Sequence, residues 1–245
     1  MRSKLPAIAL LGCLLPAAAD VRQNPVLVEL FTSEGCSSCP PADTLLEKLD
    51  KLQPVAGAQI IVLSEHVDYW NHDGWVDPFS AHEFTLRQEA YDLRLKVSEP
   101  YTPQVVVDGS RECLGSAAAK VETAIHDAAS SPKLPLAITA GSRPQSVLVE
   151  VDAAAASEIN ARGAEVYAAF AQDNGETDVL RGENQGRRLR NVAIVKKLRR
   201  LGKLGNGSGF RAEFSVARFS GERLIAFVQE PGNGQVLGAA MYRIP

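Results

Sequence analysis

The first half of the chain alternates between short apolar runs and helically spaced repeats. Residues 26–31 and 59–63 are dominated by β-branched, aromatic and other apolar side chains, which predicts two buried strands. Leucines recur at helical spacing after Pro40, and residues 80–96 show a similar repeat, so we expect a helix after each strand. The remaining predicted elements of this half are a strand at 104–107, a turn at Asp108-Gly109, an antiparallel strand at 112–114 and a helix at 116–129.

The pattern changes after residues 130–133, a Ser-Ser-Pro-Lys segment that we interpret as a linker. Beyond it apolar and polar residues alternate, as at 210–216, which is typical of strands with one buried face. A run of short strands predicts a small β-sandwich, so we expect an α/β domain over 24–131 and an all-β sandwich over 134–245. The predicted strands are 136–139, 146–151, 165–171, 189–198, 210–216, 223–229 and 235–243.

The start of the chain has the pattern of a targeting signal. Arg2 and Lys4 precede an apolar stretch at 5–15, and small residues follow up to Ala19. We therefore expect residues 1–19 to be a signal peptide that is cleaved after Ala19, and the mature protein to be periplasmic or secreted. Such a compartment is oxidising and allows disulfides. No later stretch is long and apolar enough to predict a transmembrane segment.

Charge argues against a nucleic-acid partner. The chain has 26 basic and 29 acidic residues, and removal of the signal peptide makes it more acidic. A local exception lies between Arg181 and Lys203, where nine basic residues accompany a single acid, Glu183. This cluster is interpreted as a solvated strand edge, with binding of an acidic partner or an anionic surface as the alternative.

The chemistry of the chain centres on Cys36-Ser37-Ser38-Cys39, which lies between the first predicted strand and the first helix. The N-terminus of a helix stabilises a thiolate and lowers the pKa of a cysteine there. We expect Cys36 to be an exposed nucleophile and Cys39 to be the resolving thiol. The alternatives are an inert structural disulfide and part of a metal site, although no second Cys-x-x-Cys completes a zinc set.

An aromatic segment follows the second predicted strand. Residues 66–77 contain both tryptophans of the chain and two of its four histidines. Three interpretations are open: a packed loop over the cysteine pair, a copper or zinc site formed by His66 with Cys36 and Cys39, or a surface that binds a substrate polypeptide. The residues expected to form that surface are Tyr69, Trp70 and Trp75, together with Thr102.

The sequence also allows predictions for Pro103 and Cys113. Pro103 directly precedes an apolar strand, where a proline is difficult to place, and a cis Thr102–Pro103 bond is one solution. Cys113 is the third cysteine of the mature chain. We interpret it as a buried small apolar residue on a short strand, with a third redox partner or a link to another chain as alternatives.

The motifs together resemble a known family. The order β-α-β-α-β-β-α is a thioredoxin-like arrangement. Residues 28–43, 66–75, 101–104 and 181–184 together resemble the exported bacterial thioredoxin-like family that is numbered as domain of unknown function twelve twenty-three. This resemblance implies a fold and a compartment, and it implies no substrate.

Similarity to thioredoxins at large implies roles for individual residues. Cys36 and Cys39 match the redox pair, and Pro103 matches the cis-proline that helps to dock an extended substrate. Glu29 resembles the buried acid that aids proton transfer to the resolving thiol. The dipeptide Ser37-Ser38 differs from those of better-known members, so the direction of electron flow is not implied.

The sequence therefore predicts an exported thiol–disulfide oxidoreductase-like protein that acts on a protein thiol or disulfide and needs no cofactor. The fold class expected is a thioredoxin-like α/β domain followed by an all-β sandwich-like domain. The alternatives are a periplasmic protein that handles copper or zinc, and a non-enzymatic binding module whose disulfide is structural.

Overall fold

The computed structural model describes residues 23–142, 146–154, 159–205, 209–217 and 222–244, so the predicted signal peptide lies outside the described residues. Among these residues, no helix combines the length and the apolar character needed to cross a bilayer. The elements, in chain order, are β1 (Asn24–Thr32), α1 (Pro40–Leu52), β2 (Ala58–His66), α2 (His82–Leu95), β3 (Gln104–Val107), β4 (Arg111–Leu114), α3 (Ala118–Ala129), β5 (Leu136–Ser142), β6 (Ser146–Ala153), β7 (Glu165–Asp178), β8 (Arg188–Lys203), β9 (Phe210–Ala217), β10 (Glu222–Gln229) and β11 (Val236–Ile244).

Strand β1 is buried on both faces and separates two packing layers. Val28 and Leu30 lie in one apolar cluster with Leu46 and Leu49 of α1 and with residues of α3. Leu27 belongs to a different cluster, which includes residues of α2. Because successive side chains of a strand point to opposite faces, α1 and α3 cover one face of the sheet and α2 lies on the other. The predicted order of helices and strands in this half is found.

The predicted fold class, a thioredoxin-like α/β domain followed by a separate β-sandwich, is wrong. Eight strands from both halves form one mixed sheet in the order β11-β10-β7-β8-β2-β1-β3-β4. The junction is between β2 and β8, which run parallel and pair at Ser64 and Ile194. The buried residues of β8 that the sequence assigned to a sandwich core therefore pack beside β2. Local alternation predicts that a strand exists, and it carries no information about the strand with which it pairs.

A smaller sheet covers part of the larger one. Strands β5, β6 and β9 form it in the order β5-β6-β9. Val151 of β6 shares an apolar cluster with Val166 of β7 and with Leu224 and Val228 of β10. The seven strands predicted for the second half are thus all present, but they divide between two sheets, and β7 and β8 are longer than predicted.

The segment interpreted as a linker is part of the packed structure. The side chain of Lys133 is buried and forms an ion pair with Asp108. The backbone N–H of Leu134 donates to the carbonyl of Leu237 at 2.7 Å. Residues at the boundary between the two halves therefore form contacts with both halves of the chain.

The predicted turn at Asp108-Gly109 is confirmed. Both residues have positive φ, 46° and 61°, as expected for a tight hairpin turn between β3 and β4. A Cβ atom on Gly109 would lie 2.2 Å from the carbonyl oxygen of Gly234. Glycine is therefore required at position 109 both by the positive φ of the turn and by the close approach of the Gly234 backbone.

The basic cluster predicted at a strand edge lies instead on a strand inside the sheet. Strand β8 is bordered by β7 and β2. Acids on β7 neutralise part of its charge: Glu176 contacts Arg188 and Arg190, and Glu165 contacts Arg200 and Lys203. The interpretation as a sheet edge is wrong, because β2, which comes from a distant part of the chain, borders β8 on the side away from β7.

A buried polar cluster joins α2 to both halves of the sheet. Arg87 donates from Nε to Oε1 of Glu29 at 2.7 Å, and Tyr91 donates its hydroxyl to Oε2 of Glu29 at 2.6 Å. Gln229 of β10 donates to the Tyr91 hydroxyl at 2.7 Å. Glu65 lies 3.6 Å from Arg87 Nε, and neither of its carboxyl oxygens has a hydrogen-bond partner among the described residues. Two carboxyl groups therefore face one guanidinium.

Replacing Glu65 with glutamine should stabilise the protein progressively as the pH rises. Burial and the nearby Glu29 carboxylate raise the pKa of Glu65 well above its usual value. A group whose pKa is higher in the folded chain favours folding at low pH, and this advantage is lost as the pH rises toward the folded pKa. The unfolding free energy of Glu65→Gln relative to wild type should therefore grow above about pH 4.5, by up to about 1.4 kcal/mol per pH unit. Urea denaturation at several pH values measures this difference, and a pH-independent difference would contradict a protonated Glu65.

Candidate functional site

The cysteine pair lies at the junction between β1 and α1, as predicted. Cys36 and Cys39 are joined by a disulfide. Cys39 is the residue that immediately precedes α1, and its carbonyl oxygen accepts the N–H groups of Ala42 at 2.8 Å and Asp43 at 3.1 Å. The pair is therefore fixed to the first turn of a helix, where the unpaired N–H groups favour negative charge.

Both sulfur-bearing side chains are buried. Cys36 is 1% exposed and Cys39 is 0% exposed, so the expectation of an exposed Cys36 is wrong. The two serines between them are exposed. The backbone at Cys36 is also contacted by a segment almost 150 residues away, a contact that no local pattern could predict.

That segment is the β7–β8 loop, residues 179–187. Asn184 donates from Nδ2 to the carbonyl oxygens of Glu34 at 2.8 Å and Cys36 at 2.9 Å, and Asn184 is itself fully buried. The carboxylate of Glu183 accepts the N–H of Ser37 at 3.0 Å. The loop is closed at its base, where the N–H of Val179 donates to the carbonyl of Arg187. Three hydrogen bonds thus hold the loop on the backbone beside the disulfide.

A second segment faces the pair from the start of β3. The Thr102–Pro103 bond is cis, which confirms the prediction. The carbonyl oxygen of Thr102 lies 3.8 Å from Sγ of Cys36 and 3.4 Å from Oγ of Ser38. Trp70 donates its Nε1–H to the Thr102 hydroxyl at 2.8 Å. The structure therefore brings Thr102, Pro103 and Trp70 together at the disulfide.

The aromatic segment is partly buried and is held by hydrogen bonds to its surroundings. Trp75 donates its Nε1–H to Oε2 of Glu34 at 3.0 Å, and Tyr69 donates its hydroxyl to Gln88 at 3.1 Å. Trp70 and Trp75 are therefore linked to the cysteine pair indirectly, by hydrogen bonds to Thr102 and Glu34 respectively. Tyr69 instead extends toward α2.

The structure gives no ligand set for the metal alternative. His66 is buried, and its Nδ1 lies 2.7 Å from Oδ2 of Asp77. Cys36 and Cys39 are bonded to each other. Across the described ranges, no group of three or more His, Cys, Asp or Glu side chains is arranged to hold a metal ion.

Four titratable side chains form a buried cluster behind the disulfide: Glu34, Asp43, His66 and Asp77. Oδ2 of Asp77 accepts the N–H of Glu34 at 2.8 Å in addition to its contact with His66. Oδ1 of Asp43 accepts the hydroxyl of Thr32 at 2.9 Å. The cluster connects the ends of β1 and β2 with the first turn of α1.

The cluster is electrostatically coupled. Burial raises the pKa of Asp43 to about 7, and burial together with Asp77 raises the pKa of Glu34. Burial alone would lower the pKa of His66, but the carboxylates of Asp77, Asp43 and Glu34 outweigh it and raise that pKa. Burial also opposes ionisation of Asp77, yet His66 and the backbone N–H groups lower its pKa. Each member of the His66–Asp77 pair therefore favours the charged form of the other.

Glu29 is not part of this site. Its carboxylate binds Arg87 and Tyr91 of α2, and it alternates along β1 with Val28 and Leu30, which face α1. Glu29 therefore lies on the face of the sheet opposite to α1, the helix that follows Cys39. The structure does not bring it to the cysteine pair.

Sequence reasoning assigned no role to Asp43, Glu183 or Asn184. Asp43 follows Cys39 by one helical turn, so helical spacing could have identified it. Asn184 and Glu183 lie in the motif at 181–184, but their contact with Cys36 and Ser37 depends on the pairing of β8 with β2. No signal in the sequence specified that pairing.

The third cysteine lies apart from the pair. Cys113 is a free thiol on β4 and is half-buried. Burial, with a contribution from the Glu112 carboxylate, raises the pKa of Cys113 to about 11. It is therefore a neutral thiol near pH 7, and a neutral thiol is a weak nucleophile.

Two solved structures are similar to this chain. Protein AGR_C_4864 from Agrobacterium tumefaciens is 24% identical, with 91% of this chain and 96% of that chain covered and a TM-score of 0.72. HBP35 of Porphyromonas gingivalis is 14% identical, with 91% of this chain and 76% of that chain covered and a TM-score of 0.60. At these identities the similarity concerns the fold alone.

Sequence comparison gives the family. No curated protein matches the chain significantly. A family model for proteins of unknown function, DUF1223, matches residues 27–229. This match confirms the family that the motifs resemble, and the chain belongs to the DUF1223 family of proteins of unknown function.

Proposed function

We propose that this protein carries out thiol–disulfide exchange with a protein substrate through Cys36 and Cys39. The observation that carries the proposal is the position of the disulfide at the start of α1, with the Thr102 carbonyl beside Cys36. A helix N-terminus lowers the pKa of a thiol and thereby raises its thiolate fraction. The predicted signal peptide would place the protein in an oxidising compartment, the periplasm or the exterior of the cell.

The proposed reaction has two steps. In the reduced protein the Cys36 thiolate attacks a substrate disulfide, forms a Cys36–substrate disulfide and releases the other substrate sulfur, which takes up a proton. The Cys39 sulfur then loses its proton and attacks Sγ of Cys36, which forms Cys36–Cys39 and releases the second substrate sulfur. Two electrons pass from the protein to the substrate, and the reverse sequence oxidises a substrate dithiol.

The surroundings support these roles. Cys39 is fully buried, whereas Cys36 adjoins the exposed Ser37 and Ser38, so an incoming sulfur would meet Cys36 first. Thr102 and Trp70 are partly exposed beside the pair, and Trp75 lies next to Glu34. We assign these three residues, with Pro103, to binding of an extended substrate segment, and Tyr69 to the outer part of the same surface.

A redox titration of the protein tests the proposal. The protein is equilibrated in glutathione buffers of graded potential, and each cysteine is read by alkylation and mass spectrometry. We expect Cys36 and Cys39 to interchange between thiols and disulfide at potentials of roughly −120 to −270 mV, the range of known exchange enzymes. Cys113→Ala is the control and should leave the transition unchanged. Cys36→Ala should abolish exchange with oxidised glutathione, and full activity in this variant would exclude Cys36 as the nucleophile.

The burial of both sulfurs favours a second candidate, a structural disulfide in a non-enzymatic binding module. A structural disulfide resists reduction by glutathione and generally lies below about −300 mV. The same titration separates the two functions. A pair that remains oxidised throughout the range above supports the structural role.

A further inference from the structure

A cavity of about 190 Å³ lies between the first turns of α1 and the beginning of β8. Its lining includes Asp43, and the other residues that line it are Pro40, Thr44, Glu47, Arg188, Leu189 and Arg190. Asp43 is 8% exposed, and it contacts solvent-accessible space here. One carboxyl group of the buried cluster therefore adjoins a space that is large enough to hold water.

Asp43 is also the member of the cluster that is fixed to the cysteine pair. Its N–H donates to the carbonyl of Cys39 at 3.1 Å, so it lies one helical turn beyond Cys39 on the same side of α1. The Thr32 hydroxyl holds Oδ1 at 2.9 Å, which fixes the carboxyl group at the end of β1. Asp43 therefore adjoins the cavity and follows Cys39 by one helical turn.

The same buried cluster includes a histidine, His66. His66 is 1% exposed, its Nδ1 contacts Asp77, and its Nε2 has no hydrogen-bond partner among the described residues. Oε1 of Glu34 is likewise buried without a partner within that part of the chain. A buried imidazole that is oriented by a carboxylate on one nitrogen can donate or accept a proton with the other.

Among the described residues, the charged groups that act on Asp43 come from the buried cluster and from the lining of the cavity. Glu34, His66 and Asp77 face it from the buried cluster. Glu47 on its own helix and Arg188 and Arg190 on β8 face the cavity, and both arginines contact Glu176 of β7.

We propose that Asp43, supported by the His66–Asp77 pair, exchanges a proton between the Cys39 thiol and the cavity. The inference rests on the proposed exchange function and extends it. When Cys39 attacks the Cys36–substrate disulfide, its S–H bond breaks and the proton passes to the Asp43 carboxylate. The new Cys36–Cys39 bond forms, the substrate thiolate leaves, and Asp43 returns the proton to water in the cavity. Reduction of the pair follows the same route in reverse.

The pKa of Asp43 supports this assignment. Burial raises the pKa of Asp43 to about 7, which is close to the pH at which a proton acceptor works efficiently. The hydrogen bond from Thr32 lowers that pKa, so its loss should raise it. Because Asp43 takes up the proton of Cys39 itself, its effect on the rate should follow its own titration.

The test measures resolution of a mixed disulfide by Cys39. The reduced protein is mixed with oxidised glutathione, and decay of the Cys36–glutathione adduct is followed by rapid alkylation and mass spectrometry over a range of pH. In the wild type the rate should rise with an inflection near pH 7, because the Asp43 carboxylate accepts the proton. In Asp43→Asn the inflection should disappear, and the rate at neutral pH should fall about 10²-fold. Asp92→Asn, a buried carboxyl group on α2, is the matched control and should keep the wild-type profile.

Thr32→Val keeps the assignment testable if Asp43→Asn does not fold. Loss of the Thr32 hydroxyl should move the inflection to higher pH while Asp43 remains in place. An inflection that is unchanged in Thr32→Val, or retained in Asp43→Asn, would overturn the role of Asp43. If no variant, including the wild type, can be reduced or form the adduct, the proposed exchange function itself fails. The two failures are therefore distinguishable.

Discussion

Arg87→Met should lower the free energy of unfolding by about 3–5 kcal/mol, because it leaves a buried carboxylate without its counterion. Arg87 contacts Glu29 at 2.6 Å and 2.7 Å and donates to the hydroxyl of Tyr91 at 2.9 Å and to Gln229 at 3.2 Å. These residues come from β1, α2 and β10, and Gln229 is 142 positions from Arg87, so one guanidinium joins distant elements. Urea denaturation near pH 7 measures the loss.

Two further variants show whether charge is the cause. In Arg87→Met/Glu29→Gln the unpaired carboxylate is removed, so this double variant should be more stable than Arg87→Met alone. Arg94→Met, on the same helix, breaks a more exposed ion pair with Glu230 and should cost about 1 kcal/mol or less. Equal losses in Arg87→Met and the double variant would mean that the side chain matters for packing and not for charge.

The elements that were predicted correctly depend on local patterns. Alternation along β9 and the apolar run of β1 are properties of single segments, and both strands are found where periodicity indicated them. The turn at Asp108-Gly109 was identifiable because two consecutive positive φ angles favour this residue pair. The cysteine pair at a strand-to-helix junction belongs to the same class of local signal.

The elements that were predicted wrongly depend on pairing between distant segments. Strand β8 was assigned to a separate sandwich, although Ile194 pairs with Ser64 and joins the two halves in one sheet. The same pairing brings the β7–β8 loop to the backbone of Cys36, a contact that the predicted fold class did not include. The predicted role of Glu29 beside the resolving thiol failed for a related reason. A one-residue shift along a strand moves a side chain to the opposite face of the sheet, and Glu29 lies on the face away from α1.

The buried cluster of Glu34, Asp43, His66 and Asp77 could be predicted only in part. Helical spacing places Asp43 beside Cys39, which the sequence shows directly. His66 and Asp77 were visible as members of one polar and aromatic segment, but their contact with each other requires that segment to fold back over the end of β2. The residue types were therefore visible in the sequence, and their arrangement as one buried cluster was not.

Asn184→Ala should increase the rate at which dithiothreitol reduces the Cys36–Cys39 disulfide by about 10-fold to 100-fold. Asn184 donates to the carbonyls of Glu34 and Cys36, and its loss leaves both buried acceptors without that donor. An unsatisfied buried acceptor costs about 1–3 kcal/mol, and each 1.4 kcal/mol corresponds to a factor of about ten in an equilibrium constant. The β7–β8 loop should therefore open more often and expose Cys36 to attack. Stopped-flow reduction under a fixed excess of dithiothreitol, with quenching by alkylation, measures the rate.

Gln185→Ala is the matched control, because Gln185 is the exposed neighbour of Asn184 in the same loop. It should reduce at the wild-type rate, which would attribute the effect to the two hydrogen bonds of Asn184 and not to substitution in the loop. Glu183→Gln weakens the single bond to the N–H of Ser37 and should give a smaller increase than Asn184→Ala. If all three variants react at the wild-type rate, the attacking sulfur reaches Cys36 without opening the loop. The exposed Ser37-Ser38 segment would then be the route of entry, and a substrate would need to displace nothing from the second half of the chain.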